Sequence, residues 1–181
     1  MAFSISDFAS RLKSGGANPS LFEVKLFNPV ASDADALTPF YVRATSIPDS
    51  TIGILEIPYF GRKLKIPGER VFSNWTVTIM NDEDFKIRDR MERWSAAINS
   101  HQTNLRAESA LASLKSDGLV TQYSKTGSAI RTYKFAGLWP TVIGPIELDW
   151  ENSTQIETFT VEFSVDNWTV DSGVTRTASL A

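Results

Sequence analysis

The chain has 181 residues, no cysteine and one histidine, with 21 acidic against 18 basic residues for a formal net charge of −3. That length supports a core of ordinary size without staples, and the missing cysteines exclude a disulfide, a thiolate nucleophile and a cysteine zinc site. A lone His101 excludes a two-histidine metal centre, and the slight acidic excess speaks against a surface shaped to grip phosphates.

The N-terminal stretch MAFSISDFASRLKSGGA lacks the basic start and unbroken apolar run of a signal peptide, so the mature chain is expected to begin near Met1 and to fold in a cytoplasm. A short helix is predicted over Ile5 to Lys13, stopped by Gly15-Gly16. In LFEVKLF, Phe22, Val24 and Leu26 share one strand face while Glu23 and Lys25 share the other. NPVASDADALT (28–38) reads as a polar loop, and PFYVRAT as a strand before the turn SIPDS. TIGILEIPYFGRKLKIPG forms two extended runs around Pro58 and Gly61, a hairpin or a long protruding loop. VFSNWTVTIM then sets Trp75, Val77 and Ile79 against Thr76 and Thr78.

A longer helix is expected near Asp84 to Asn99, with Ile87, Met91, Trp94 and Ile98 on one stripe. Its charged face, which includes Arg88, Arg90 and Arg93, is either a solvated face or a docking surface for a partner shell. HQTNLRAESALASLKSDG (101–118) is irregular with a helical turn inside, and His101 reads as a plain surface residue. LVTQYSK and IRTYKFAG make a strand pair split by Thr126-Gly127-Ser128. In TQIETFTVEFSVDNW, Phe159, Val161, Phe163 and Val165 oppose Thr158, Thr160, Glu162 and Ser164. One domain is expected over 1–168, followed by a small, polar extension over 169–181.

The polar quartet Asn81-Asp82-Glu83-Asp84 is the stretch closest to a metal site. A calcium loop needs a glycine at its sharp turn and further spaced oxygens, and neither follows here. Asn81 and Asp82 are instead expected to cap the helix that begins beside them, each cap contributing about 1 kcal/mol. KSGGANPS lacks phosphate-loop spacing, and Glu147 with Asp149 forms no recognisable catalytic pair. No cofactor, metal or enzymatic chemistry is expected.

GERVFSNWTVTIMNDED, NPSLFEVKLF (18–27) with the run ending at RATSIP (43–48), and GLWPTVIGPIELDWENSTQIETFTVEFSVDNW (137–168) together resemble the tail tube proteins of contractile-tailed bacteriophages. The resemblance implies a mainly β fold, an antiparallel β-sandwich or barrel-like domain with one flanking α-helix. It also implies hexameric rings that stack into a rigid hollow tube, driven through the host envelope by sheath contraction, with DNA passing down the lumen. The partners implied are other copies of the chain, the tail sheath, the baseplate and tail terminator, and a tape measure protein in the lumen. Its place would be the virion tail, assembled in the host cytoplasm.

Within that frame, a cationic lumen would bind DNA phosphates and act as a brake. Thr76, Thr78, Thr158, Thr160 and Glu162 are therefore the candidate lumen face, unless that face covers the exterior or packs under the helix. Ile54, Leu55, Ile57, Tyr59 and Phe60 are the candidate contact between rings, unless the hairpin packs on its own domain. Arg88, Arg90 and Arg93 are the candidate sheath-facing residues. Two rival readings stand beside this one: a type VI or extracellular contractile injection tube carrying protein effectors, and a monomeric ligand-binding β-barrel.

Overall fold

The computed structural model describes residues 5–12, 15–107, 111–151 and 154–171. Nine strands run in chain order: β1 (Phe22–Leu26), β2 (Val42–Thr45), β3 (Ser50–Tyr59), β4 (Arg62–Phe72), β5 (Trp75–Met80), β6 (Ser116–Tyr123), β7 (Ala129–Ile143), β8 (Thr158–Ser164) and β9 (Asn167–Asp171). Three α-helices punctuate them: α1 (Ile5–Arg11), the single turn α2 (Thr38–Tyr41) and α3 (Lys86–Ile98). Every strand pairing is antiparallel.

Seven strands make one open sheet in the order β1-β6-β7-β8-β5-β2, with β9 also on β7. The 15-residue β7 joins two layers. Its first half pairs with β6 and β9, as in Gly118↔Phe135 and Phe135↔Trp168. Its second half pairs with β8, as in Trp139↔Ser164. Gly137 sits at the changeover with φ +69°, and a Cβ there would run into the Asp166 carboxylate, so the position needs glycine. Strands that switch layers at such irregularities turn the corners of sandwiches. The sheet does not close into a barrel within one chain.

Alternation fills the space between the layers. Val24 and Leu26, Trp75, Val77 and Ile79, Val120, Phe135 and Leu138, and Phe159, Val161 and Phe163 are all buried. Burial of large apolar side chains contributes about 1.5–3 kcal/mol each. Helix α3 lays its predicted stripe on this core: Ile87, Met91 and Trp94 are buried, and Ile98 packs against them. The Trp94 indole N–H donates to the Leu114 carbonyl at 2.8 Å, which satisfies the polar end of a buried ring.

Several expectations are corrected. Thr38–Tyr41 is helical, so PFYVRAT yields a strand only from Val42. Pro39 stands in the first turn of that helix, where its fixed φ favours helical entry. The loop at 28–38 contains a 3-10 helix over Ser32–Leu37. Helix α1 falls within the predicted Ile5 to Lys13 span, and the single turn α2 adds to the two helices expected along the chain. Strand β9 continues through Trp168 to Asp171, so the first residues of the predicted extension belong to the sheet. Residues 172–181, Lys13 and positions 108–110 of the 101–118 segment lie outside the described residues.

Candidate functional site

β3 and β4 form a separate two-stranded sheet that, among the described residues, pairs only with itself. Nearly every residue from Thr51 to Val71 is exposed. The register gives the hairpin two unlike faces. Leu55↔Ile66 and Ile57↔Leu64, continued by Tyr59, place an apolar stripe on one side, which ends at Arg62 opposite Tyr59. Glu56↔Lys65 and Pro58↔Lys63 place charges on the other, with Lys63 paired to Glu56 at 2.6 Å. At the tip the Tyr59 and Phe60 rings meet edge to face, centroids 4.7 Å apart, and Phe60 is 90% exposed. Of the five predicted contact residues, Leu55, Ile57 and Tyr59 share the apolar face, Ile54 lies opposite Pro67 on the other, and Phe60 holds the tip. Leu64 and Ile66 belong to the same apolar face. Alternation in RKLKI was the signal that could have found them.

The five candidate lumen residues come together on one sheet face. Thr76 is opposite Glu162, Thr78 opposite Thr160, and Met80 opposite Thr158. Residues between them in each strand point into the core, so this face is the outer one. Glu162 accepts a hydrogen bond from the Asn74 side chain at 2.7 Å. Two unpaired borders flank the face. β2 pairs with β5 alone, and Pro140–Ile143 carry no strand on the side away from β8 among the described residues.

The three predicted sheath arginines are not equivalent. The Arg88 side chain is only 17% exposed: it donates to the Gly144 carbonyl at 2.8 Å, pairs with Glu92 at 2.6 Å and lies over the Phe159 ring. Arg90 is 21% exposed and pairs with Asp33. Arg93 is 59% exposed, paired with Asp89 one turn earlier at 3.0 Å. Arg88 and Arg90 thus tie α3 to its own domain, which leaves Arg93 as the outward cation of the three.

The acidic quartet does not cap α3. The residue preceding the helix is Phe85, in the left-handed region at φ 49°, and no side chain caps the first turn. Asn81 extends the β5–β8 ladder by donating its N–H to the Glu157 carbonyl at 2.9 Å, and its side-chain amide donates to the Glu157 carboxylate. Asp82 accepts the Tyr41 hydroxyl at 2.7 Å and the Glu83 N–H at 2.9 Å. That phenol hydrogen bond is the main cause holding the Asp82 carboxyl below its usual range. The helix begins farther along than the hydropathy pattern suggests, so both side chains are out of reach of its free N–H groups.

An amphipathic hairpin without a domain beneath it, beside a sheet with a bare hydroxylated face and two open edges, defines a subunit built for assembly. The model of the family described as phage tail tube protein matches residues 17–171. Over 166 residues the chain is 31% identical to the tail tube protein gp19 of Enterobacteria phage T4, covering 91% of this chain and 98% of that one. The tail tube protein of Serratia phage KSP90 is 27% identical over 118 residues, 65% of this chain and 66% of its own. Among solved structures, the sheath-tube complex of an extracellular contractile injection system superposes with a TM-score of 0.63 at 18% identity, covering 95% of this chain and 100% of that chain. The cap that terminates the anti-feeding prophage tube gives 0.64 at 19% identity, covering 87% and 91%. At those identities the two structures speak for the fold alone. The chain belongs to the phage tail tube protein family, and it is a structural tube subunit rather than an enzyme.

Proposed function

We propose that copies of this chain close into hexameric rings and that the rings stack into a hollow tube, with the β2-β5-β8-β7 face toward the lumen and the β3–β4 hairpin bridging to the next ring. The observation that carries this reading is the hairpin. A lone two-stranded hairpin is marginal in water, yet this one exposes Leu55, Ile57, Leu64 and Ile66 together. Cover from another copy removes that cost. Permanent contacts of this kind commonly bury about 2,000 Å² or more.

The open edges support ring closure. The outer edge of β2 in one copy and that of Pro140–Ile143 in its neighbour carry no strand among the described residues, and edge-to-edge pairing would leave neither exposed to aggregation. A closed ring and an open stack are the two outcomes of head-to-tail contacts. The lumen face carries hydroxyls and one carboxylate at Thr76, Thr78, Thr158, Thr160 and Glu162, and so offers DNA phosphates no cation at these positions.

In the assembled virion tail the tube's partners are the sheath, met through Arg93 and the rest of the exposed face of α3, the baseplate and tail terminator at its ends, and a tape measure protein in the lumen before DNA passes. Assembly takes place in the host cytoplasm. The phage relative at 31% identity favours DNA as cargo over protein effectors. A ligand-binding barrel has no support, since the sheet is open and its interior is filled by Trp75, Phe135 and Phe163.

Negative-stain electron microscopy of the purified protein, concentrated stepwise with light scattering on the same samples, tests this reading. Hollow rings and tubes are expected, alone or seeded by purified baseplates. A monomer at every concentration, with baseplates present, would overturn it.

A further inference from the structure

The β3–β4 hairpin leaves the sheet at one end of β5. Thr45 pairs with Val77, Ser46 donates its N–H to the Thr76 carbonyl, and Ser73 to the Asp49 carbonyl, so the hairpin's root lies at the Trp75 end. The segment joining β7 to β8 lies at the other end. Gly144 donates its N–H to the Thr160 carbonyl, Asn81 donates to the Glu157 carbonyl, and Thr158 stands opposite Met80. The six residues of β5 separate the two ends by about 20 Å, at roughly 3.3 Å per residue.

That far end holds an open cleft of about 480 Å³ lined in part by Pro145, Glu147, Leu148, Asp149, Ile156 and Glu157. Beside it Trp150 is fully exposed, with Leu148 and Ile156 also exposed. From Pro145 to Thr160 the sequence carries Glu147, Asp149, Glu151 and Glu157 and no lysine or arginine. The hairpin is its opposite in charge: Arg62, Lys63, Lys65 and Arg70 outnumber Glu56 and Glu69. Both surfaces are apolar as well as charged, and each is exposed within the single chain.

We propose that the aromatic, basic tip of the hairpin, Tyr59-Phe60 with Arg62 and Lys63, seats in the acidic cleft beside Trp150 of a second copy in the adjacent ring. This rests on the stacking reading above and names the surface that receives the hairpin. Three observations carry it: opposite charge, apolar surface on both sides, and position at opposite ends of one sheet. Two unlike patches at opposite ends are what an open head-to-tail stack requires. Opposite potentials steer the encounter and set the register, while the apolar stripe supplies area removed from water. Stacking through this contact weakens as salt rises, because its rim charges are screened.

The chain has no cysteine, so introduced pairs report without background. Phe60→Cys and Trp150→Cys are made singly and together, and tubes are assembled and then oxidised. A covalent ladder is expected from the double variant, dimers from the mixed single variants, and no cross-link from either single variant alone. Tubes of normal appearance without cross-links in the double variant would overturn the pairing while leaving stacking intact. Charge reversal gives a second readout. Glu147→Lys with Asp149→Lys, or Arg62→Glu with Lys63→Glu, should each raise the protein concentration needed for tubes by about tenfold or more. Both sets in one chain should restore it. Tubes indifferent to either reversal, or no restoration in the combined variant, would count against the proposal. Wild-type protein that never forms tubes on baseplates would remove the stacking reading and this inference with it.

Discussion

The indole of Trp75 lies flat on the ring of Phe135, centroids 4.3 Å apart and planes 10° from parallel, and so joins the two layers of the sandwich. Gly118 makes room for it. A Cβ at that position would stand 2.6 Å from Leu138 Cδ1 and 3.1 Å from the Trp75 ring. Phe135→Ala should cost about 3–5 kcal/mol, because a large ring leaves a cavity that only partly collapses. Gly118→Val should cost about 1–3 kcal/mol through overpacking. Urea unfolding of the unassembled protein measures both, and wild-type midpoints would contradict the packing described.

Ile57 pairs with Leu64 on the exposed apolar face of the hairpin. Ile57→Asp should leave the monomer's circular dichroism and unfolding midpoint unchanged, since the side chain touches no core. Tube formation should be blocked. Tubes of normal length from this variant would refute the role of the hairpin in stacking.

Thr78 and Thr160 are cross-strand partners on the outer face. Exchanging both for lysine would give each ring of the tube a set of cations, which together would hold DNA phosphates without regard to sequence. DNA ejection from assembled tails should slow, most at low salt. Ejection at the wild-type rate would move the lumen to another face.

Arg88 and Arg93 lie on the same helix and should separate cleanly. Arg88→Ala removes the hydrogen bond to Gly144 and the contact with Phe159, so it should lower stability by about 1–3 kcal/mol. Arg93→Glu should be nearly silent in stability, since exposed ion pairs contribute little, yet weaken sheath assembly on preformed tubes. Co-sedimentation of sheath with tubes, beside the unfolding midpoints, reads the two effects apart.

The Tyr41 hydroxyl donates to the Asp82 carboxylate, and the charged form of Asp82 is the one it favours. A depressed carboxyl contributes stability that is present above the ordinary carboxylate range and lost as pH falls through the lowered value. Tyr41→Phe should move the Asp82 titration back up toward its usual range in an NMR pH series. No movement would mean that the hydrogen bond is not kept in solution.

Period and register account for what was legible beforehand. Two-residue alternation in FEVKL, WTVTIM and TFTVEFS sorts the core from the outer face in each strand. The i, i+4, i+7 stripe of Ile87, Met91 and Trp94 likewise marks the buried side of α3. The sequence by itself determined a mainly β chain with one long amphipathic helix, an unusually apolar hairpin and no cysteine chemistry, because these follow from residue order and side-chain type alone. Tertiary structure decided the rest. Whether Asn81 and Asp82 capped the helix depended on where that helix began, and a left-handed Phe85 moved the start beyond their reach. Whether Arg88 and Arg90 faced outward depended on Gly144, Phe159 and Asp33, partners 56 or more positions away in one direction or the other that only the folded chain brings beside α3. The acidic cleft and the basic hairpin tip carry their charges openly in the sequence, yet only antiparallel pairing of β5 with β8 sets them at opposite ends of one sheet. Alternation says which residues share a face, and long-range pairing says what that face can meet.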